Sequence, residues 1–194
     1  MLKTRSTGEC QVCGVVFEKL RPLQVVCGLK CVKKRSSNIK KELKEKVKRE
    51  REDIVKRKQA LKTRSDWLKE AQVAFNRFIR TRDRDEVCIS SGRPLRLEAL
   101  GGGYDCGHYL STGSAPHLRF NEDNAHGQSK HDNRYLSGNA VHYRIGLIAR
   151  IGLERVEALE CDKTIVKWTI DDLRDIKALY DRKTKELLAK REFE

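Results

Sequence analysis

The sequence predicts a mainly helical α+β protein, and three observations carry that expectation. Apolar residues recur at helical spacing between Ser65 and Thr81, and again from Thr169 to Leu187. Short β-prone pieces broken by Gly92-Arg93-Pro94 and Gly101-Gly102-Gly103 lie between those helices. Two close cysteine pairs near the start precede a long charged stretch that lacks both proline and glycine. Hydrophobic content is 38% against 36% charged, so the 194 residues are not expected to share one core. Small metal-stapled units and solvated helices are the expected alternative.

The first unit is expected over residues 1–35. It holds Cys10-Gln-Val-Cys13 and Cys27-Gly-Leu-Lys-Cys31, separated by two short β-prone runs about an Arg21-Pro22 turn. Close thiol pairs flanking a hairpin-length spacer can place four thiolates around one tetrahedral Zn²⁺, making Cys10, Cys13, Cys27 and Cys31 a structural zinc set. Gly14 eases the tight turn beside the first pair. The ion would supply folding energy that so small a core cannot.

Residues 36–63 are expected to form a basic helical arm. Across residues 33–62 there are fourteen Lys or Arg against five Asp or Glu, and Leu43, Val47, Ile54 and Leu61 form a thin apolar stripe. Pairs such as Glu42 with Lys46 support the helix. Such a helix reads as a solvated linker, a phosphate-contacting arm or a dimerising coiled coil.

A core unit is expected over residues 64–152. Trp67, Leu68, Ala71, Ala74, Phe75, Phe78 and Ile79 define a buried helix face, with Ser65 available as N-cap. These aromatics read as packing rather than base-stacking platforms. Arg80, Arg82 and Arg84 read as a solvated helix end. A strand is expected within residues 104–110, and helices from about Ala140 to Arg150 and on through Leu159. Helices over residues 153–194 complete the chain as scaffold or interface, the last one capped by Thr169 and Asp172.

The formal net charge of +14 favours a polyanionic partner, because neutralising phosphates releases condensed counterions. No run approaches the roughly 18 apolar residues of a membrane span. The N-terminal residues lack the apolar core of a signal peptide, so the chain is expected in the cytoplasm, with seven cysteines serving as reduced thiols and ligands. Aromatic content of 6%, largely claimed by helices, leaves few platforms for single-stranded RNA.

Residues 105–139 concentrate the candidate chemistry. His108, Asn124 and Asn133 follow in order, separated by 16 and 9 residues. A histidine on a strand titrates near neutrality and can take a proton from water. Asn124, in an acidic turn, can fix the loop against that histidine, while Asn133 at a helix entry can offer an amide oxygen to a divalent metal. Asp105 is the nearest carboxylate, and Mg²⁺ or Mn²⁺ prefers such oxygens. His126 is a further candidate for metal or phosphate contact. His117, His131 and His142 read as bystanders.

This stretch, with the helix before it and the N-terminal cysteine unit, closely resembles the phage NinG family, also called Rap, recombination nucleases of lambdoid phages. The resemblance covers nearly the whole chain and is most specific over residues 64–152. It implies cleavage of branched DNA, namely Holliday junctions and strand-invasion loops, inside a bacterial host. It also implies an HNH-like, or ββα-metal, core in which His108 is the general base, Asn124 the central asparagine and Asn133 the closing metal ligand. Two departures stand out. Gly107 occupies the position before the base where an acid or histidine is usual, although Asp105 shares that position's strand face. The CxxC pairs that flank the site in the family read here as Cys88-Ile-Ser-Ser91 and Ser129-Lys-His-Asp132. No second zinc is therefore expected, and Cys88, Cys106 and Cys161 read as small buried residues.

The sequence thus predicts a Mg²⁺- or Mn²⁺-dependent endodeoxyribonuclease with a structural Zn²⁺. Arg119, Lys130 and Arg134 are the expected phosphate clamps. The two-fold character of branched DNA motivates a homodimer, and host or phage recombination proteins are candidate partners. The alternative is a non-catalytic, zinc-containing DNA-binding accessory protein.

Overall fold

Cysteine spacing, more than β-propensity, shapes the first unit. The computed structural model describes residues 6–95 and 103–191, and the chain divides into two units, Met1–Leu61 and Lys62–Glu194. In the first, β1 (Thr7–Glu9) pairs antiparallel with β2 (Val16–Glu18), Gly8 opposite Phe17. This corrects the expected hairpin about Arg21-Pro22, since residues 23–26 form no strand. Their backbone serves the cysteine turns instead: Val25 carbonyl accepts from Gln11 N–H, and the Gln24 side chain braces Leu20 and Val26. Among the described residues of this unit, only Cys10 and Val26 are buried hydrophobics.

The long helix α1 spans Leu29–Ala60, beginning inside the second cysteine pair. It buries nothing, as its charge predicts.

In the second unit, α2 (Arg64–Arg82) supplies the core face read from the sequence, burying Trp67, Ala71, Ala74, Phe75, Phe78 and Ile79. Its N-cap is Thr63 rather than Ser65. Asp66 N–H donates to the Thr63 hydroxyl while the Asp66 carboxylate takes Thr63 N–H, a reciprocal capping box. The antiparallel hairpin β3 (Tyr104–His108) and β4 (Ala125–Ser129) lies against α2. A 3-10 turn, Pro116–Leu118, interrupts the connection between the strands, and a π-type turn, His131–Tyr135, follows β4.

Three helices close the unit: α3 (Ala140–Ile151), α4 (Leu153–Cys161) and α5 (Ile170–Arg191). The last packs along α2, where Tyr180 meets Phe75 edge-on at 4.8 Å. It is core scaffold, capped by Thr169 and Asp172 as expected. On α3 a side chain at Gly146 would meet the Ile89 carbonyl at 1.8 Å, so only glycine allows this approach. Among the described residues, no helix is long and apolar enough to cross a membrane. Gly101 and Gly102 lie outside the described residues.

Candidate functional site

Each unit presents a cluster. In the first, the four sulfurs of Cys10, Cys13, Cys27 and Cys31 lie within 4.8 Å of one another. Cys27 Sγ is 3.6 Å from both Cys13 Sγ and Cys31 Sγ, spacing that suits thiolates about 2.3 Å from a shared Zn²⁺. Cys27 N–H donates to Cys10 Sγ at 3.4 Å. Burial alone would raise the Cys10 thiol, but backbone N–H groups of Val12, Cys27 and Cys13 bring it down to about 6. A thiolate so supported is a ready metal ligand.

In the second unit the hairpin has two faces, because side chains alternate along a strand. Tyr104, Cys106, His108 and Ala125 point one way. Asp105, Gly107, His126 and Gln128 point the other, with Asp105 opposite Gln128 and Gly107 opposite His126.

On the first face, His108 is half-buried at the end of β3, its ring 5.9 Å from that of Phe75. Its Nε2 lies 3.1 Å from the Arg119 carbonyl oxygen. A carbonyl can only accept, so Nε2 carries the proton and Nδ1 is left as the basic nitrogen. Burial lowers the His108 pKa, with the Arg119 carbonyl opposing; the ring is neutral at pH 7.

Asn124 is fully buried and holds the connection that carries Arg119. Its Oδ1 accepts from Leu110 N–H at 2.8 Å, and its Nδ2 donates to the carbonyls of Leu110 at 2.9 Å and Leu118 at 3.2 Å. The Tyr109 N–H donates to the Asn124 carbonyl in turn. An amide has both donors and acceptor, which is why one side chain can close this loop from three sides. Asn124 therefore acts on His108 through the loop.

On the opposite face, Asn133 Nδ2 donates to Asp105 Oδ2 at 3.3 Å. Arg134 grips the same carboxylate with two bonds, Nε to Oδ2 at 2.8 Å and Nη2 to Oδ1 at 3.1 Å. His126 is buried against Tyr143, and its Nδ1 has no hydrogen-bond partner among the described residues. Desolvation, with Arg82 adding to it, lowers its pKa to about 3, so it is a neutral imidazole. Asp105 and Asn133 are brought together, a carboxylate and an amide of the kind that suits a divalent cation, and His126 lies on the same face of the hairpin as Asp105.

Gly107 has a structural cause. A Cβ there would sit 2.2 Å from Gln128 Oε1 and 2.8 Å from Gln128 Cβ. The Gln128 amide is fixed in that space by donating to Ser90 Oγ at 2.7 Å and to the Gly138 carbonyl at 2.6 Å. An acid at position 107 would have no room.

Cys88, Ser91, Ser129 and Asp132 also converge. Ser129 N–H donates to Cys88 Sγ at 3.2 Å, Ser129 Oγ donates to Asp132 Oδ2 at 2.5 Å, and the Cys88 thiol approaches the same oxygen at 3.5 Å. Ser91 and Asn139 also bond to Asp132. Burial raises the Asp132 carboxyl, but these bonds outweigh it and hold it ionised. Hydrogen bonds centred on Asp132 knit this loop. Of the other cysteines, Cys88 is buried and Cys106 packs partly buried on the core, but Cys161 is exposed at the end of α4. The last corrects its expected burial.

The expected phosphate clamps differ in circumstance. Arg119 is half-buried, donating to Gln72 Oε1 and the Thr112 carbonyl, each at 3.0 Å. Lys130 is half-buried, and Arg134 is exposed while holding Asp105. His117 and His142 bond to the Asp162 carbonyl and Asn139 respectively.

One pair escaped the sequence reading. Arg82 is not a solvated helix end: it pairs with Asp83 at 2.6 Å and donates to the carbonyls of Glu122 and Ala125. Asp83 accepts from Gly127 N–H at 2.7 Å. Together they bind the outer edge of β4, covering groups an edge strand would expose. The only sequence signal was an adjacent Arg-Asp pair closing an amphipathic helix.

A four-cysteine unit followed by a basic helix, joined to a helix-braced hairpin carrying His108 and Asn124, defines a two-unit α+β protein with a cysteine cluster that could hold a metal ion. A family profile described as Bacteriophage Lambda NinG protein matches residues 2–192. Over 131 residues, 68% of this chain, it is 49% identical to Protein ninG of Escherichia phage lambda, covering 62% of that protein. The corresponding figures are 48% identity and 63% coverage for Protein ninG of Escherichia phage 933W, and 47% and 62% for that of Salmonella phage P22. The chain belongs to the NinG family. The match spans less than two thirds of the length of these relatives. No solved structure matches.

Proposed function

We propose that this protein is a divalent-metal-dependent endodeoxyribonuclease with an HNH-like hairpin, acting on Holliday junctions and strand-invasion loops. The observation that carries this reading is the linked trio of His108, the Arg119 carbonyl and Asn124. A general base needs one nitrogen fixed and the other free to accept, and this linkage supports that arrangement at His108.

In the proposed reaction His108 Nδ1 takes a proton from water, and the resulting hydroxide attacks phosphorus in line with the departing 3′ oxygen. Asn124 holds the loop, so the ring keeps its orientation during the transfer. Asp105 and Asn133, with His126, would hold Mg²⁺ or Mn²⁺, which when bound stabilises charge on the leaving oxygen. Arg134 then turns from Asp105 toward phosphate, and Lys130 and Arg119 add positive charge nearby. The four-cysteine cluster would hold Zn²⁺ and serves folding rather than chemistry.

A second reading, a non-catalytic DNA-binding accessory protein, is favoured by one observation. His108 and Asp105 lie on opposite faces of the hairpin, and Arg134 already neutralises Asp105. Matched branched and linear DNA incubated with Mg²⁺, Mn²⁺, Ca²⁺ or chelator separates the two. Metal-dependent cutting of the branched substrate alone supports the nuclease; binding to both without cutting under any metal supports the accessory protein.

A further inference from the structure

We propose that α1 is a duplex-DNA arm that contacts phosphates through one lysine-rich row rather than through its charge at large. The proposal deepens the DNA reading above but does not depend on hydrolysis.

Lys33, Lys40, Lys44, Lys48, Arg51 and Lys58 follow one another along the helix. At 3.6 residues per turn they fall within roughly a quarter of its circumference. Ser37 and Val55 fill the two gaps in the row, and no acid falls on it. Glu42, Glu50 and Asp53 lie on the other side of the helix and Glu45 and Glu52 on one flank of the row, while Ile39, Leu43, Val47 and Ile54 form a separate stripe along its other flank. A merely solvated face would mix its signs, since (i, i+4) pairs stabilise a helix. Here the acids are absent from the row.

The row is also available: every residue from 32 to 60 is exposed. From Lys33 to Lys58 the rise is about 38 Å, close to one duplex turn. A second copy is the poorer occupant. The helix carries fourteen Lys and Arg against five acids, so two such helices repel, and the apolar stripe beside the row is thin. A polyanion gains from the same charge through counterion release.

The test measures binding of a labelled linear duplex across a salt series, in the full-length protein carrying His108→Ala so that cleavage cannot interfere. One variant replaces Lys33, Lys40, Lys44 and Lys48 with Gln; its control replaces Lys46, Arg49, Lys56 and Arg57 with Gln. All eight positions are exposed on the helix, and Gln matches Lys and Arg in helix propensity. Both variants lose the same charge. The row variant should weaken binding on the order of 100-fold near physiological salt and flatten the log K against log salt slope by about 3 to 4. The control should stay within about threefold. Equal loss in both variants, no loss in the row variant, or tighter binding to single-stranded RNA of equal length would overturn the proposal. A failure of the nuclease reading would appear only in cleavage assays and leave these results unchanged.

Discussion

The Arg119 carbonyl oxygen lies 3.1 Å from His108 Nε2, and Asn124 bonds to the carbonyl of the adjacent Leu118. A backbone atom thus sets the histidine tautomer, and a buried asparagine sets that backbone. Asn124→Ala should therefore act twice. Leaving the half-buried Leu110 N–H and the Leu110 and Leu118 carbonyls without their partner should cost about 3 kcal/mol of stability, read by thermal or denaturant unfolding. Any cleavage should fall by more than the lost folded fraction explains. A variant with wild-type stability would contradict the role given to Asn124.

Gly107→Ala tests the packing explanation for the departure beside His108. The new methyl must displace Gln128 from Ser90 and Gly138, which should destabilise the second unit by about 1–3 kcal/mol. Pairing it with Gln128→Ala should recover part of that loss. If the single variant unfolds at the wild-type midpoint, Gln128 does not dictate glycine there.

Acid should weaken the second unit through His126. Its pKa is lowered from 6.5 to about 3 by burial, followed by Arg82. The unfolded state therefore binds the extra proton between those values. This stabilisation is full above about 6.5 and is lost as pH falls through the window toward 3. At about 1.4 kcal/mol per pH unit, roughly 2 kcal/mol should disappear between pH 7 and pH 5. His108 shifts in the same direction. Measured without added divalent cation, His126→Gln should flatten the stability profile; an unchanged slope assigns the acid sensitivity elsewhere.

Zinc should matter to the first unit alone. Protein prepared with Zn²⁺ should contain one ion per chain, and Cys13→Ser should lose it. Chelation should unfold the short strands while the second unit keeps its own thermal transition. Retained zinc in the Cys13 variant would remove the four-thiolate assignment.

Legibility followed how local each cause was. The α2 core face could be read because Trp67, Ala71, Phe75 and Phe78 repeat at helical spacing within one element. The cysteine cluster was legible because its ligands lie in two tight pairs. Strand β1 was missed because Thr7–Glu9 carries no apolar alternation, and its pairing follows from the turns that gather the thiols. Arg82 looked solvated because its partners Glu122 and Ala125 lie about forty residues away. The glycine at 107 reads from the sequence as a lost acid because Gln128, which fills the space beside it, sits on the neighbouring strand. His108, Asn124 and Asn133 were legible as an ordered set, but their division between two hairpin faces depends on register, which spacing does not contain.

The most direct measurement is cleavage of a synthetic four-way junction with Mg²⁺ by wild type and His108→Ala, with junction binding measured in parallel. The account predicts that wild type cuts, with a rate that rises with pH through a value below 6.5, because burial lowers the His108 pKa. The variant should bind the junction as tightly while cutting at least about 100-fold more slowly. Undiminished cutting by the variant, or no cutting by wild type with any divalent metal, would contradict it.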